Sequence, residues 1–281
     1  MSYLVKLDMY SGRENPHWVL TDEQAGELRR RSRDFQEKLG GAPSPRTLGY
    51  RGVEITPIAR QEGGVEPLIE SREAELNNGS IYVSGVPELE DFIVSTGKDF
   101  IDPEALEHIQ TVFRTPEMRF PTLNAGTGCP KCVAADAPAY DPAFWNTPQR
   151  QPNNNCYNYA NNQATNTFAQ PGRATGKPIT GLSCGGVQPS AQSDGLKPSA
   201  DFSTPLKAGA GWYVALVIWP GRDYHWYRQD DVGCWSHKPG QTAARNTDNS
   251  GNPITDPKAC DRGPYTDFCT YMVSGKWVTI N

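Results

Sequence analysis

The first 128 residues of this 281-residue chain contain no cysteine, whereas seven follow: Cys129, Cys132, Cys156, Cys184, Cys234, Cys260 and Cys269. The opening stretch therefore holds neither disulfides nor thiol chemistry, and the asymmetry divides the chain. Basic charge is scarce, with 27 Lys and Arg against 32 Asp and Glu and a net charge of −5. That argues against a nucleic-acid partner, because phosphate contacts need a basic face. No run of about 18 apolar residues is present, so no membrane span is expected. The opening Met1-Ser2-Tyr3-Leu4-Val5-Lys6-Leu7-Asp8 lacks a basic region followed by an apolar one. No signal peptide is read there, and the cytoplasm is the default, with export by another route left open. Mean hydropathy is −0.62, polar for a folded chain, but 7 Trp, 12 Tyr and 9 Phe suffice to anchor a core.

Periodicity gives the layout. Residues 3–10 read as a strand, and Thr21-Asp22-Glu23-Gln24 forms a capping box that opens a helix running to about Leu39. Strands are expected at 50–58 and 80–86, and helices at 87–95 and 103–113, the latter with Asp102 as N-cap. His17 and His108 stand alone in this region and read as structural. Residues 1–115 thus form a small α+β N-terminal domain, and 116–152 a Pro/Gly-rich linker. Within the linker, Cys129-Pro130-Lys131-Cys132 has the spacing of half a zinc site, a redox pair or a local disulfide. A zinc site lacks two further ligands, so a structural pair is expected and no cofactor is implied. A long loop is expected over 170–211, then a buried strand at Trp212–Trp219, a hairpin, and final strands at 265–274 and 276–280.

From residue 153 the pattern suggests chemistry. Asn153-Asn154-Asn155-Cys156-Tyr157-Asn158-Tyr159-Ala160 places a cysteine where a loop becomes a helix, expected to run to about Thr167. The positive end of a helix favours a thiolate. Asp223-Tyr224-His225-Trp226-Tyr227 places a histidine on an aromatic strand, 69 residues after Cys156. With Cys156 as nucleophile and His225 as base, Asn246 or Asp248 is the candidate to orient the imidazole, and Gln151 and Asn155 are candidate oxyanion donors. Each has a plainer reading: a buried helical cysteine, and turn residues in the run 246–252. A hairpin across Asp230-Asp231-Val232 sets His225 opposite Lys238 and His237 opposite Trp226, which puts the two histidines on opposite faces.

Asn155-Cys156-Tyr157-Asn158-Tyr159-Ala160 resembles the nucleophile helix of papain-fold amidases of the CHAP and NlpC type. The order of cysteine, then histidine on a later strand, is similar too, and the likeness covers roughly residues 150–250. It departs where Tyr224 and Trp226, rather than a small residue, flank the histidine. The resemblance implies an α+β fold with a papain-like domain over 153–281, its nucleophile helix packed on an antiparallel sheet. It also implies a cysteine peptidase or amidase acting through a thioester on a peptide or peptidoglycan-like substrate, by hydrolysis or acyl transfer. Two other classes compete. One is a non-catalytic carbohydrate- or protein-binding module whose Trp/Tyr hairpin stacks on its partner. The other is a secreted structural protein with six of the seven cysteines in disulfides.

Overall fold

The computed structural model describes residues 2–39, 47–58, 79–115, 128–129 and 133–281. The chain forms two units: Met1–Met9, Asn15–Ser44 and Tyr50–Phe120 make the first, and Tyr10–Glu14, Pro45–Gly49 and Pro121–Asn281 the second. Both are mixtures of helix and antiparallel sheet.

The first unit holds a four-stranded sheet in the order β2 (His17–Val19), β1 (Ser2–Asp8), β3 (Gly52–Ile58), β4 (Ile81–Val83). Along β1, Tyr3, Val5 and Leu7 are buried and alternate with half-buried Leu4 and Lys6, the period of a strand with one covered face. Helix α1 (Asp22–Ser32) opens on the capping box, with Thr21 and Gln24 bonded reciprocally. It stops earlier than its sequence pattern indicates, because Arg33–Lys38 tightens into a 3-10 turn. Its basic run is a solvated face in which Arg30 and Arg31 share Glu27. Helices α2 (Pro87–Thr96) and α3 (Pro103–Arg114) follow, the second capped by Asp102. His108 on α3 accepts the Tyr50 N–H, and burial lowers its imidazole to about 4, so it stays neutral. His17 is exposed.

The second unit is built on a five-stranded sheet in the order β5 (Lys197–Ser199), β9 (Asp267–Ser274), β6 (Trp212–Trp219), β7 (Asp223–Gln229), β8 (Trp235–His237). Every residue of β6 is buried, because both faces of the sheet are covered. One face carries Val214, Leu216, Ile218, Tyr224, Trp226 and Met272 against the short helix α5 (Cys156–Ala160) and helix α6 (Cys184–Ser193). On the other, Phe202 packs its ring on Tyr213, Trp235 and Tyr271.

Several expectations for this unit are corrected. Helix α5 ends at Ala160 rather than near Thr167, because Asn162 takes a left-handed conformation (φ 52°) that a helix does not continue through. The stretch 170–211 contains α6 and β5, and 276–280 is not a strand. Of the expected linker, residues 121–152 belong to the second unit, although 121–127 and 130–132 lie outside the described residues. Within it a single helical turn, α4 (Pro142–Trp145), buries Trp145 with its ring 5.1 Å from that of Tyr159. Among the described residues, the disulfides Cys129–Cys234 and Cys184–Cys269 staple the unit. The first removes Cys129 from any zinc site, and Cys132 lies outside the described residues.

Candidate functional site

Helix α5 does position Cys156 at its first residue, and the thiol is free. Its surroundings are those of a core side chain. Cys156 is fully buried among Tyr157, Tyr224, Trp226 and Leu216, and Sγ donates weakly to the Tyr224 carbonyl at 4.0 Å. Burial, and then the nearby Asp223 carboxylate, push the thiol well above its ordinary range, outweighing backbone N–H groups and Lys238. A helix of five residues offers little dipole to oppose that desolvation. The expected thiolate is therefore corrected to a protonated, enclosed thiol. Cys156 in the folded, oxidised protein should resist iodoacetamide at both pH 6 and pH 8 and become alkylated only in denaturant. Peptide mapping by mass spectrometry checks this, and rapid native alkylation of Cys156 would contradict it.

His225 leaves β7 on the other face of the sheet. Tyr224 and Trp226 point to Cys156, and the alternation of the strand sends His225 and Tyr227 away from it. The hairpin register differs by one residue from the expected one: Tyr227 pairs with His237, so the two histidines share a face. His225 Nε2 and His237 Nδ1 lie 2.7 Å apart. On its other side, His237 Nε2 lies 2.8 Å from Arg245 Nε and 3.1 Å from the Thr247 carbonyl. Both imidazoles are buried, and His237 stacks on Tyr227.

The proposed auxiliary residues are elsewhere as well. Asn246 is exposed. Asp248 closes its own loop by accepting the N–H groups of Asn252 and Asp261. Asn155 caps α5, accepting from Tyr157 and Asn158, and its amide donates to Ala169 and Gly12. The Asn-rich run knits loops: Asn158 Oδ1 takes the Ala169 N–H, and Asn154 exchanges two bonds with Asn166. The Gln151 main-chain carbonyl accepts from the buried Lys238 ammonium.

Beside α5 lies an arrangement that no local pattern announced. Residues Ser11 and Gly12 thread past it as a bent strap. The Ser11 and Gly12 N–H groups donate to the Asp223 carboxylate at 2.5 and 3.2 Å, and the Tyr265 hydroxyl donates to it at 2.5 Å. The Gly12 carbonyl receives Gln170 Nε2 at 2.8 Å, the Tyr224 hydroxyl at 2.9 Å and Asn155 Nδ2 at 3.2 Å. Asp223 is fully buried, and desolvation pushes its carboxyl up to about 6, with these donors offsetting part of the rise. The folded state therefore holds a proton that the unfolded chain releases near pH 3.9. Stability from this group is highest below about pH 4 and declines as pH rises to about 6, by about 3 kcal/mol. Denaturation midpoints of the native chain and Asp223→Asn, compared from pH 4 to 7, should show that difference narrowing, and a flat difference would refute it.

A separate cleft of about 620 Å³ in the same unit is lined by Asp136, Asn162, Gln163, Lys276 and Trp277, among others. Trp277 is 37% exposed there, whereas the aromatic hairpin β7–β8 is buried throughout, which corrects the expectation of a stacking surface on that hairpin.

No family model matches the chain, and no solved structure matches it. Among curated proteins, insoluble matrix shell protein 1 of Ruditapes philippinarum is 49% identical over 142 residues, which is half of this chain and 93% of that protein. The chain belongs to the insoluble matrix shell protein 1 family. Membership in this family overturns the cytoplasmic default, since a shell matrix lies outside the cell, and the two disulfides agree with that correction. Among the described residues no helix is long and apolar enough to cross a membrane. Asp223, Lys238, Gln170 and Gly12 were missed in the sequence because their partners are remote. Only Asp223, a carboxylate beside an apolar strand, offered a hint.

Proposed function

We propose that the chain is a non-catalytic, disulfide-bonded structural component of an insoluble extracellular matrix. The observation that carries this reading is the 49% identity to insoluble matrix shell protein 1 across nearly all of that protein. Two further features support it. Disulfides spanning 105 and 85 residues suit an oxidising exterior. An enclosed, protonated Cys156, with His225 on the far face of the sheet, suits a scaffold better than a thiol enzyme. Antibodies against the chain should label the insoluble extracellular residue of producing cells after extraction with detergent and salt. A signal confined to the cytosol sinks the reading. The competing amidase reading, with its papain-like fold, requires Cys156 to gain both solvent and an imidazole. Turnover of a peptide or peptidoglycan-like amide by the full chain, abolished in Cys156→Ala, would restore it.

The cleft favours one elaboration. A half-exposed Trp277 beside the amides of Asn162 and Gln163 and the carboxylate of Asp136 combines an apolar ring with polar edges, the chemistry that a sugar face meets. Retention of the native chain on an insoluble polysaccharide, lost in Trp277→Ala, would support a carbohydrate-binding role. Equal retention of both would remove it.

A further inference from the structure

The strap at Ser11 and Gly12 is held almost wholly through main-chain atoms, as a peptide ligand is held. Both N–H groups go to one carboxylate, and the Gly12 carbonyl is met by three side-chain donors. Asp223, Asn155, Tyr224 and Tyr265 are all fully buried, and the strap supplies Asp223 with two N–H donors and gives Asn155 and Tyr224 a shared carbonyl acceptor. Selectivity comes from size. A Cβ on Gly12 would fall 2.4 Å from the Tyr224 ring. Ser11 is also fully buried, with its Oγ 3.1 Å from the Tyr265 hydroxyl, which leaves room for a small polar side chain. The neighbouring Tyr10 carbonyl sits against Gly240, where a Cβ would approach it to 2.5 Å. Nothing in this recognition requires that the strap belong to the same molecule.

We propose that the second unit carries a binding site for a bent Ser-Gly segment, filled here by the chain's own residues 11 and 12 and open to the same segment of another chain. The site resembles other peptide-recognition grooves in using main-chain hydrogen bonds for affinity and one steric position for specificity. While the internal strap occupies it, a free peptide competes against a tethered one, and its apparent affinity falls by the fraction of sites left open. This inference does not rest on the matrix reading, and either can fail alone.

The test uses the full oxidised chain and a fluorescein-labelled peptide with the sequence of residues 9–14. Gly12→Val prevents the internal strap from seating. The variant should bind the peptide about tenfold more tightly than the native chain does, read by anisotropy. A peptide with valine in place of glycine should bind neither protein. A folded Gly12→Val protein with no affinity for the glycine peptide overturns the proposal. If that variant does not fold, hydrogen exchange of the native chain decides. Millimolar peptide should accelerate exchange of the Ser11 and Gly12 amides by displacing the strap, and unchanged rates overturn the proposal. Light scattering separates the sources of ligand. Concentration-dependent association that the glycine peptide suppresses assigns the site to a second copy. Peptide binding by a chain that stays monomeric assigns it to the internal strap and to other glycine-containing chains.

Discussion

The Lys238→Met variant is expected to lose about 3–5 kcal/mol of stability, read as a lowered urea midpoint with an unchanged slope. Lys238 follows directly on β8, and its side chain is fully buried. Its ammonium donates to the carbonyls of Asn154 at 2.5 Å, Gln151 at 2.6 Å and Gly240 at 2.7 Å. Those carbonyls belong to the loop that leads into α5 and to the turn beyond β8, so one cation ties two segments far apart in sequence. Methionine keeps most of the side-chain volume but leaves three carbonyls, two of them buried, without that donor, each buried one worth about 1–3 kcal/mol before water leaks in. A surface control such as Lys207→Met should change stability by less than about 0.5 kcal/mol. Equal midpoints for Lys238→Met and the control would show that the carbonyls are rehydrated at no cost.

Breaking the cross-links should have an effect of similar size. The Cys184–Cys269 bond ties the first residue of α6 to β9 across 85 residues, and Cys129–Cys234 spans 105. Loops of that length restrict the unfolded chain by about 4–5 kcal/mol each on the chain-entropy account. The paired substitution Cys184→Ser with Cys269→Ser should lower stability by about 4 kcal/mol. Full reduction should cost less than twice that, because the two loops overlap and share their entropy loss. Denaturation with and without reductant measures both. Superimposable curves would mean that neither bond forms in solution.

Much of the secondary structure was legible because its signals are local. The capping box at Thr21, the Asp102 cap and the apolar run of β6 each specify an element from neighbouring residues. The site was not legible, and the reason is a single-residue register. The Asp230 N–H bonds the Cys234 carbonyl, closing a longer hairpin loop than the sequence suggested. That moves His237 from opposite Trp226 to opposite Tyr227 and carries it to the face of His225. Cys156 misled for a different reason. A string of asparagines beside a cysteine suggests a polar, reactive mouth, but here their amides satisfy the backbone of loops 161–169 and leave the thiol in hydrocarbon. The strap was invisible because Ser11-Gly12-Arg13 reads as an ordinary turn, and its partner Asp223 lies more than 200 residues away.

A second piece borrowed from early in the chain is clasped in a related way. The Asn249 side chain accepts the Leu48 N–H and donates back to the Leu48 carbonyl. The backbone therefore passes between the two units five times, where beads on a string would need one passage. A gene fragment starting after residue 120 would encode the larger unit without either clasped piece, and no single cut yields both units whole. Preparing either unit alone therefore means supplying or replacing the pieces that lie elsewhere in the sequence.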